Sequence, residues 1–264
     1  MKLADGECRD TAKRSQPTGF TEGSKMGSTA EIRVLMVTPD PWLVENFMSA
    51  CVELGIQARG SASMASVPEE LGRAKYEAVL VDFDMLPETA TILAGVRESR
   101  GNRNALVFAV ATETAHRHQA LRQGAAFIFQ RPIEVSEIRR VLHAAYDLMA
   151  RESRRYFRCA AELPALLNRA NQATDLKCTT INISSNGMAI RTPTSLDPGE
   201  AVQITLFLPG AGEAVRASGT AVWDNKQGKT GINFQCATPR DQGELDAWLN
   251  TRFYELLAPR HAVL

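Results

Sequence analysis

Residues 178–192 read Cys178-Thr179-Thr180-Ile181-Asn182-Ile183-Ser184-Ser185-Asn186-Gly187-Met188-Ala189-Ile190-Arg191-Thr192. Two runs rich in β-branched residues flank a Ser-Ser-Asn-Gly turn, and each run has the length of a single strand. The stretch predicts an antiparallel hairpin and, with it, a β-rich second half. Asn-Gly is a dipeptide of tight turns, so Gly187 is expected at positive φ.

Outward from this hairpin the same pattern continues. Ala201 to Leu208, Val215 to Trp223 and Thr230 to Gln235 predict further strands, punctuated by Asp197-Pro198-Gly199 and Pro209-Gly210. Short strands with Gly-rich turns suggest a small closed barrel over residues 151–240, with Trp223 and Phe234 in its core. Residues 241–264 then hold a helix, about Asp241 to Leu257, amphipathic through Leu245, Trp248, Leu249 and Phe253, and a short tail.

Upstream, residues 31–150 follow a different pattern. Ile32 to Val37, Ile56 to Arg59, Ala78 to Asp82, Ala105 to Val110 and Ala126 to Phe129 are β-like runs, separated by segments of helical spacing such as Leu43, Phe47, Cys51 and Leu54. Five strands alternating with five helices predict a parallel sheet covered on both faces. The last helix starts near Val135, keeps its period through Ile138, Leu142, Ala145 and Met149, and ends near the basic cluster Arg151 to Arg158. That position suits a lever between the two halves. Residues 1–30 are polar and rich in Gly, Ser and Thr, which predicts disorder, and Met26 offers an alternative start.

Composition narrows the function. The 264 residues carry 30 basic and 30 acidic side chains and are 44% hydrophobic and 23% charged, as expected for one or two folded domains. No apolar run approaches the roughly 18 residues of a membrane span, and a signal peptide's apolar run is missing, so a cytosolic place is expected. Zero net charge argues against a nucleic-acid binder, but the charge is uneven. Residues 31–150 hold 12 basic and 15 acidic side chains, residues 151–240 hold 11 and 7. An anionic ligand is expected on the second half.

Cys8, Cys51, Cys159, Cys178 and Cys236 are odd in number and never spaced CxxC, and the four histidines lack metal-ligand spacing. Neither a disulfide scaffold nor a zinc site is expected. No nucleophile-base pair, phosphate loop, or cyclase or phosphodiesterase signature is present. The reading is of a protein without catalytic residues, metal or cofactor.

Val79-Leu80-Val81-Asp82 closes the third strand of the first half, and Gly124-Ala125 and Arg131-Pro132 precede its last helix. Over residues 31–150 this pattern resembles the receiver domain of two-component response regulators. The resemblance implies Asp82 as phosphoacceptor, a pair of acids after the first strand, a hydroxyl after the fourth and a lysine after the fifth. Here the acid positions hold Thr38 and Pro39, with Asp40 nearby. The hydroxyl falls on Ala111 or, with a slip in register, Thr112, and the lysine position holds Arg131. Phosphoryl transfer to an aspartate needs a divalent ion held by carboxylates, so the site reads as dismantled. Asp84 reads as a solvated charge at a strand end. The half is then a retained fold, open to dimerisation or docking.

In the second half Arg154-Arg155-Tyr156-Phe157-Arg158 contains RxxxR, and Asn182-Ile183-Ser184-Ser185-Asn186-Gly187 contains NxSxxG. Alone, a basic run at a helix end complements the helix dipole and Asn-Gly makes a hairpin. In this order, followed by Gly219-Thr220-Ala221-Val222-Trp223 and Thr230-Gly231-Ile232-Asn233-Phe234, the two are similar to the PilZ family, small barrels that bind the bacterial messenger cyclic di-GMP. The resemblance implies Arg154 and Arg158 as the RxxxR arginines and Asn182, Ser184 and Gly187 as the second motif, with Arg155 adding a phosphate or stacking contact. The chemistry is consistent: arginine forks bind phosphate, pair with guanine O6 and N7 and stack on purines, while an amide matches a guanine edge. The expected architecture is a receiver-like α/β sandwich joined to a PilZ-type barrel with a C-terminal helix. The expected function is a cyclic di-GMP effector acting on a downstream protein partner. The alternative is an interaction adaptor that binds no nucleotide.

Overall fold

The computed structural model describes residues 30–61, 64–85, 88–169 and 174–257. The expected disorder of the N-terminus and the tail after the last helix lie outside them. In chain order the first half has β1 (Arg33–Val37), α1 (Pro41–Glu53), β2 (Gln57–Ser61), α2 (Val67–Arg73), β3 (Ala78–Asp82), α3 (Thr89–Glu98), β4 (Leu106–Val110), α4 (Thr114–Arg122), β5 (Phe127–Phe129) and α5 (Val135–Arg154). Its five strands are parallel in the order β2-β1-β3-β4-β5, the doubly wound order shared by flavodoxin-like and receiver folds.

The sequence explains this sheet locally. β3 is Ala-Val-Leu-Val-Asp and is buried at every position, as a strand covered on both faces must be. Val34, Met36, Leu80 and Phe108 join Leu43 and Phe47 of α1 and Ile138 and Leu142 of α5 in one core. Leu35, Val37, Val79 and Val81 face the other way, toward Leu71 of α2 and Ile92 of α3. α1 begins where Asp40 caps it, its carboxylate accepting from the Leu43 amide at 3.2 Å, with Pro41 in the first turn.

The second half is a closed antiparallel barrel of β6 (Pro164–Arg169), β7 (Leu176–Ile183), β8 (Gly187–Arg191), β9 (Ala201–Leu206), β10 (Val215–Asp224) and β11 (Lys229–Cys236), followed by α6 (Pro239–Leu257). Around the barrel the order is β10-β11-β8-β7-β6-β9, and β9 pairs back with β10. β6 is absent from the expected strands. Pro164-Ala-Leu-Leu-Asn-Arg lacks the β-branched signature, yet it pairs with both β7 and β9 and closes the barrel. A proline is tolerated because it is the first residue of the strand.

Phe234 is a core residue, as expected, but Trp223 is only half-buried and is no part of the core. A β-bulge falls between Ala221 and Trp223, and the indole packs against Gly231, where a Cβ would come within 2.1 Å of Nε1. Gly231 is required by that close approach.

One buried cluster runs from the α1/α5 side of the sheet through Met149, Ala150 and Phe157 into the barrel and on to Phe253 and Leu257 of α6. The two halves therefore share a core rather than hanging on an open linker.

Candidate functional site

α5 ends at Arg154, and a tight turn, with the Phe157 amide donating to the Arg154 carbonyl at 3.0 Å, sends the chain to the barrel. There Cys159 and Ile183 exchange two backbone hydrogen bonds, each 2.8 Å. In antiparallel pairing the residues before one partner run beside those after the other. Arg158 is thereby set beside Ser184, and RxxxR and NxSxxG become neighbours.

The arginines differ in what holds them. Arg158 is exposed and forms no salt bridge with any described residue. Arg155 is 63% exposed, with Nη1 3.4 Å from the Glu152 carboxylate. Arg154 is half-buried and donates from Nη1 to Asn250 Oδ1 of α6. Both Arg151 and Arg154 also stand in the last turn of α5, where a cation offsets the negative helix end.

Asn182 is buried, at 2% exposure, beside a register shift between β7 and β8. The Ser184 hydroxyl donates to the Gly187 carbonyl at 2.9 Å, and the Ser184 amide donates to the same oxygen at 2.8 Å, closing the turn. Gly187 does not take positive φ, contrary to the expectation from Asn-Gly. It is instead the first residue of β8, paired with Asn233 of β11. A Cβ there would make only ordinary contacts, 3.5 Å to Ser184 Oγ and 3.7 Å to the Ile232 carbonyl. The backbone does not demand glycine at this position.

Two groups of residues at this site escape sequence reasoning. α6 folds over the turn, so that Gln242 Nε2 donates to the Ser185 carbonyl at 3.5 Å and Asn250 holds Arg154. From the first half, Lys75 Nζ donates to the Glu152 carbonyl at 3.1 Å and lies 4.3 Å from the centroid of the Tyr156 ring. Polar residues on a helix and one lysine before a strand give no local signal of such contacts.

The acidic site of the first half lies at the carboxyl ends of its strands, as this fold class places sites. Asp82 has no exposed surface and accepts five hydrogen bonds: Thr38 Oγ1 at 2.8 Å, Arg131 Nη2 at 2.8 Å and Nη1 at 3.2 Å, and the amides of Asp84 and Met85 at 3.1 and 3.2 Å. Asp84 is not the solvated charge expected, because the fourth strand's loop folds onto it. It accepts from Thr112 Oγ1 at 2.7 Å and from the Thr112 amide, and bonds His116 Nδ1 at 3.0 Å. Thr112, not Ala111, is the hydroxyl of the site. Burial acts to raise the Asp84 carboxyl, but the bonds from His116 and Thr112 and the charge of Arg131 outweigh it, holding the group below the usual carboxylate range.

These contacts decide whether a divalent ion fits. Five donors already exceed the roughly four lone-pair sites of the Asp82 carboxylate, and a guanidinium fills the space between the acids. The residues present do not fit a metal, and among the described residues no group of three or more His, Cys, Asp or Glu is arranged to hold one.

Comparison with known proteins separates the two halves. The PilZ domain family model matches residues 152–251. This half is a PilZ domain. The match begins at the joint and takes in most of α6, so the helix over the motif turn belongs to the matched PilZ region. PilZ domains form a family of cyclic di-GMP-binding regulators, and both PilZ and receiver-like domains are generally non-catalytic.

Among solved structures, the inhibitor of motility MotI/DgrA of Bacillus subtilis is 19% identical, with TM-score 0.32, over 37% of this chain and 50% of that one. The match thus spans half the length of that protein. The receiver domain of a sensor histidine kinase of Pseudomonas aeruginosa is 19% identical over 43% of this chain and 96% of that one, with TM-score 0.38. The chemotaxis response regulator CheY4 of Vibrio cholerae is 15% identical over 43% and 98%, with TM-score 0.40. No curated protein matches the sequence. No helix among the described residues is long and apolar enough to cross a membrane.

Proposed function

We propose that the protein is a cytosolic effector of cyclic di-GMP, not an enzyme, that binds its ligand with Arg154, Arg155, Arg158, Asn182, Ser184 and Gly187 and passes the signal to a downstream protein. The observation that carries this reading is the Cys159–Ile183 bridge, which sets a free, exposed guanidinium beside the NxSxxG turn. Arg158 supplies the first contact to phosphate or guanine. Arg155 and Arg154 follow by leaving Glu152 and Asn250, whose bonds they exchange for bonds to the ligand. Gly187 leaves the ligand room rather than serving the backbone. Asn182, a buried side chain, pairs with a guanine edge once it is uncovered.

The receiver-like half serves as a fold without phosphoryl chemistry. Its Asp82 oxygens are saturated by donors, so neither metal nor phosphoryl group finds a lone pair without breaking existing bonds. Beryllofluoride with magnesium is expected to leave the resonances around Asp82 in place, and a saturable shift there would defeat this part of the reading.

Isothermal titration calorimetry of the full chain with cyclic di-GMP tests the main proposal, with GTP and cyclic AMP as controls and Arg158→Ala alongside. Selective binding that Arg158→Ala weakens is the expected result. Absence of heat, confirmed by a second method, overturns it.

A further inference from the structure

The acidic site of the receiver-like half has a cation of its own. Arg131 Nη2 lies 2.8 Å from Asp40 Oδ2 and 2.8 Å from Asp82 Oδ2, and Nη1 lies 3.2 Å from Asp82 Oδ1 and 3.4 Å from Asp84 Oδ2. One planar fork, 26% exposed, thus touches three carboxylates that come from the end of β3, the loop after it and the start of α1. Its reach extends further through the backbone. The Arg131 amide donates to Thr112 Oγ1 at 3.1 Å, and Thr112 donates in turn to Asp84, which also holds His116 of α4.

Three carboxylates so close repel one another unless a cation stands among them. A divalent ion would do this in a site with open lone pairs, and would come and go. A guanidinium on the chain does it permanently, with hydrogen-bond directions a lysine ammonium does not offer. We propose that Arg131 is the resident cation of this site, standing where the fold implies an exchangeable metal. Asp40 after β1, Asp84 after β3, Thr112 after β4 and the Arg131 backbone after β5 are thereby held in one arrangement whatever the supply of metal or phosphoryl groups. This inference stands apart from the nucleotide reading of the barrel, because it concerns no residue of either ligand motif.

The test is uptake of Mn2+, read as loss of the free-ion paramagnetic resonance signal, by the full-length protein and its variants. The wild type is expected to leave Mn2+ free at millimolar concentration. Arg131→Met, which opens the space between the acids, is expected to take up one Mn2+ per chain at least tenfold more tightly, and Asp82→Asn in addition is expected to abolish the gain. Arg131→Lys keeps a cation, and with it the fold, but reaches fewer acids, so its uptake should fall between the two. Wild-type uptake as tight as that of the variants would overturn the proposal. So would variants that fold, as judged by circular dichroism, yet bind no more Mn2+ than the wild type.

Discussion

Arg131 and Arg158 are the same side chain in two conditions. The first is bonded to three carboxylates, and those bonds, working against its burial, hold its charge more firmly than usual. The second is exposed and without a salt-bridge partner among the described residues. A guanidinium whose donors are spent contributes to the fold; one whose donors are free, beside a hydrogen-bonding turn, is available for a ligand. The contrast assigns opposite phenotypes to two chemically identical side chains.

Removal of each arginine tests that contrast most strongly. Arg131→Met is expected to cost about 2–4 kcal/mol of stability, since it leaves the buried Asp82 and the half-buried Asp40 and Asp84 uncompensated, less a discount for partial exposure. Urea denaturation measures it, and Mn2+ should restore part of the loss. Arg158→Ala is expected to leave denaturation unchanged and to weaken cyclic di-GMP by about 1.5–3 kcal/mol, roughly ten- to hundredfold, in calorimetry. If the two variants exchange phenotypes, the comparison fails.

Next comes pH. The Asp40 and Asp84 carboxyls lie below their ordinary values: burial opposes this, but the Arg131 bond to Asp40 and the His116 and Thr112 bonds to Asp84 outweigh it. Groups whose folded pKa is depressed stabilise the fold above the unfolded value and cease to do so as pH falls through the folded one. The first half should therefore keep these contributions down to about pH 4 and lose them below it. In Arg131→Met the loss should begin at higher pH, which denaturation melts between pH 2 and 7 would reveal.

The two smallest effects sharpen the ligand site. Gly187→Ala should leave stability within about 0.5 kcal/mol, because φ is ordinary and the added Cβ has room. Cyclic di-GMP affinity should nonetheless fall severalfold. Asn250→Ala frees Arg154 and should change affinity by no more than about threefold, in the direction of tighter binding. A large loss would mean that Asn250 positions Arg154 for the ligand.

Much of this was legible in the chain. The all-apolar run Ala78 to Val81 before Asp82 announced a buried parallel strand, and the two motifs in order announced the barrel and the turn that joins β7 to β8. What stayed hidden depends on contacts across the fold. β6 lacks β propensity and exists because β7 and β9 flank it. Asp84 reads as solvent-facing until the Thr112 loop covers it, and Gly187 reads as a turn glycine until Ser184 closes the turn in its place. Trp223 reads as core until the bulge turns it onto Gly231.

The Cys159–Ile183 bridge also bounds how far the joint can travel. Downstream of Cys159 the chain is pinned to the barrel by two backbone bonds, and upstream of Arg154 it is a continuous helix anchored in the sheet's own core. Between them lie Arg155 to Arg158, and Phe157 is itself buried in the shared core, so the exposed side chains of Arg155 and Arg158 can turn while the backbone beneath them stays packed.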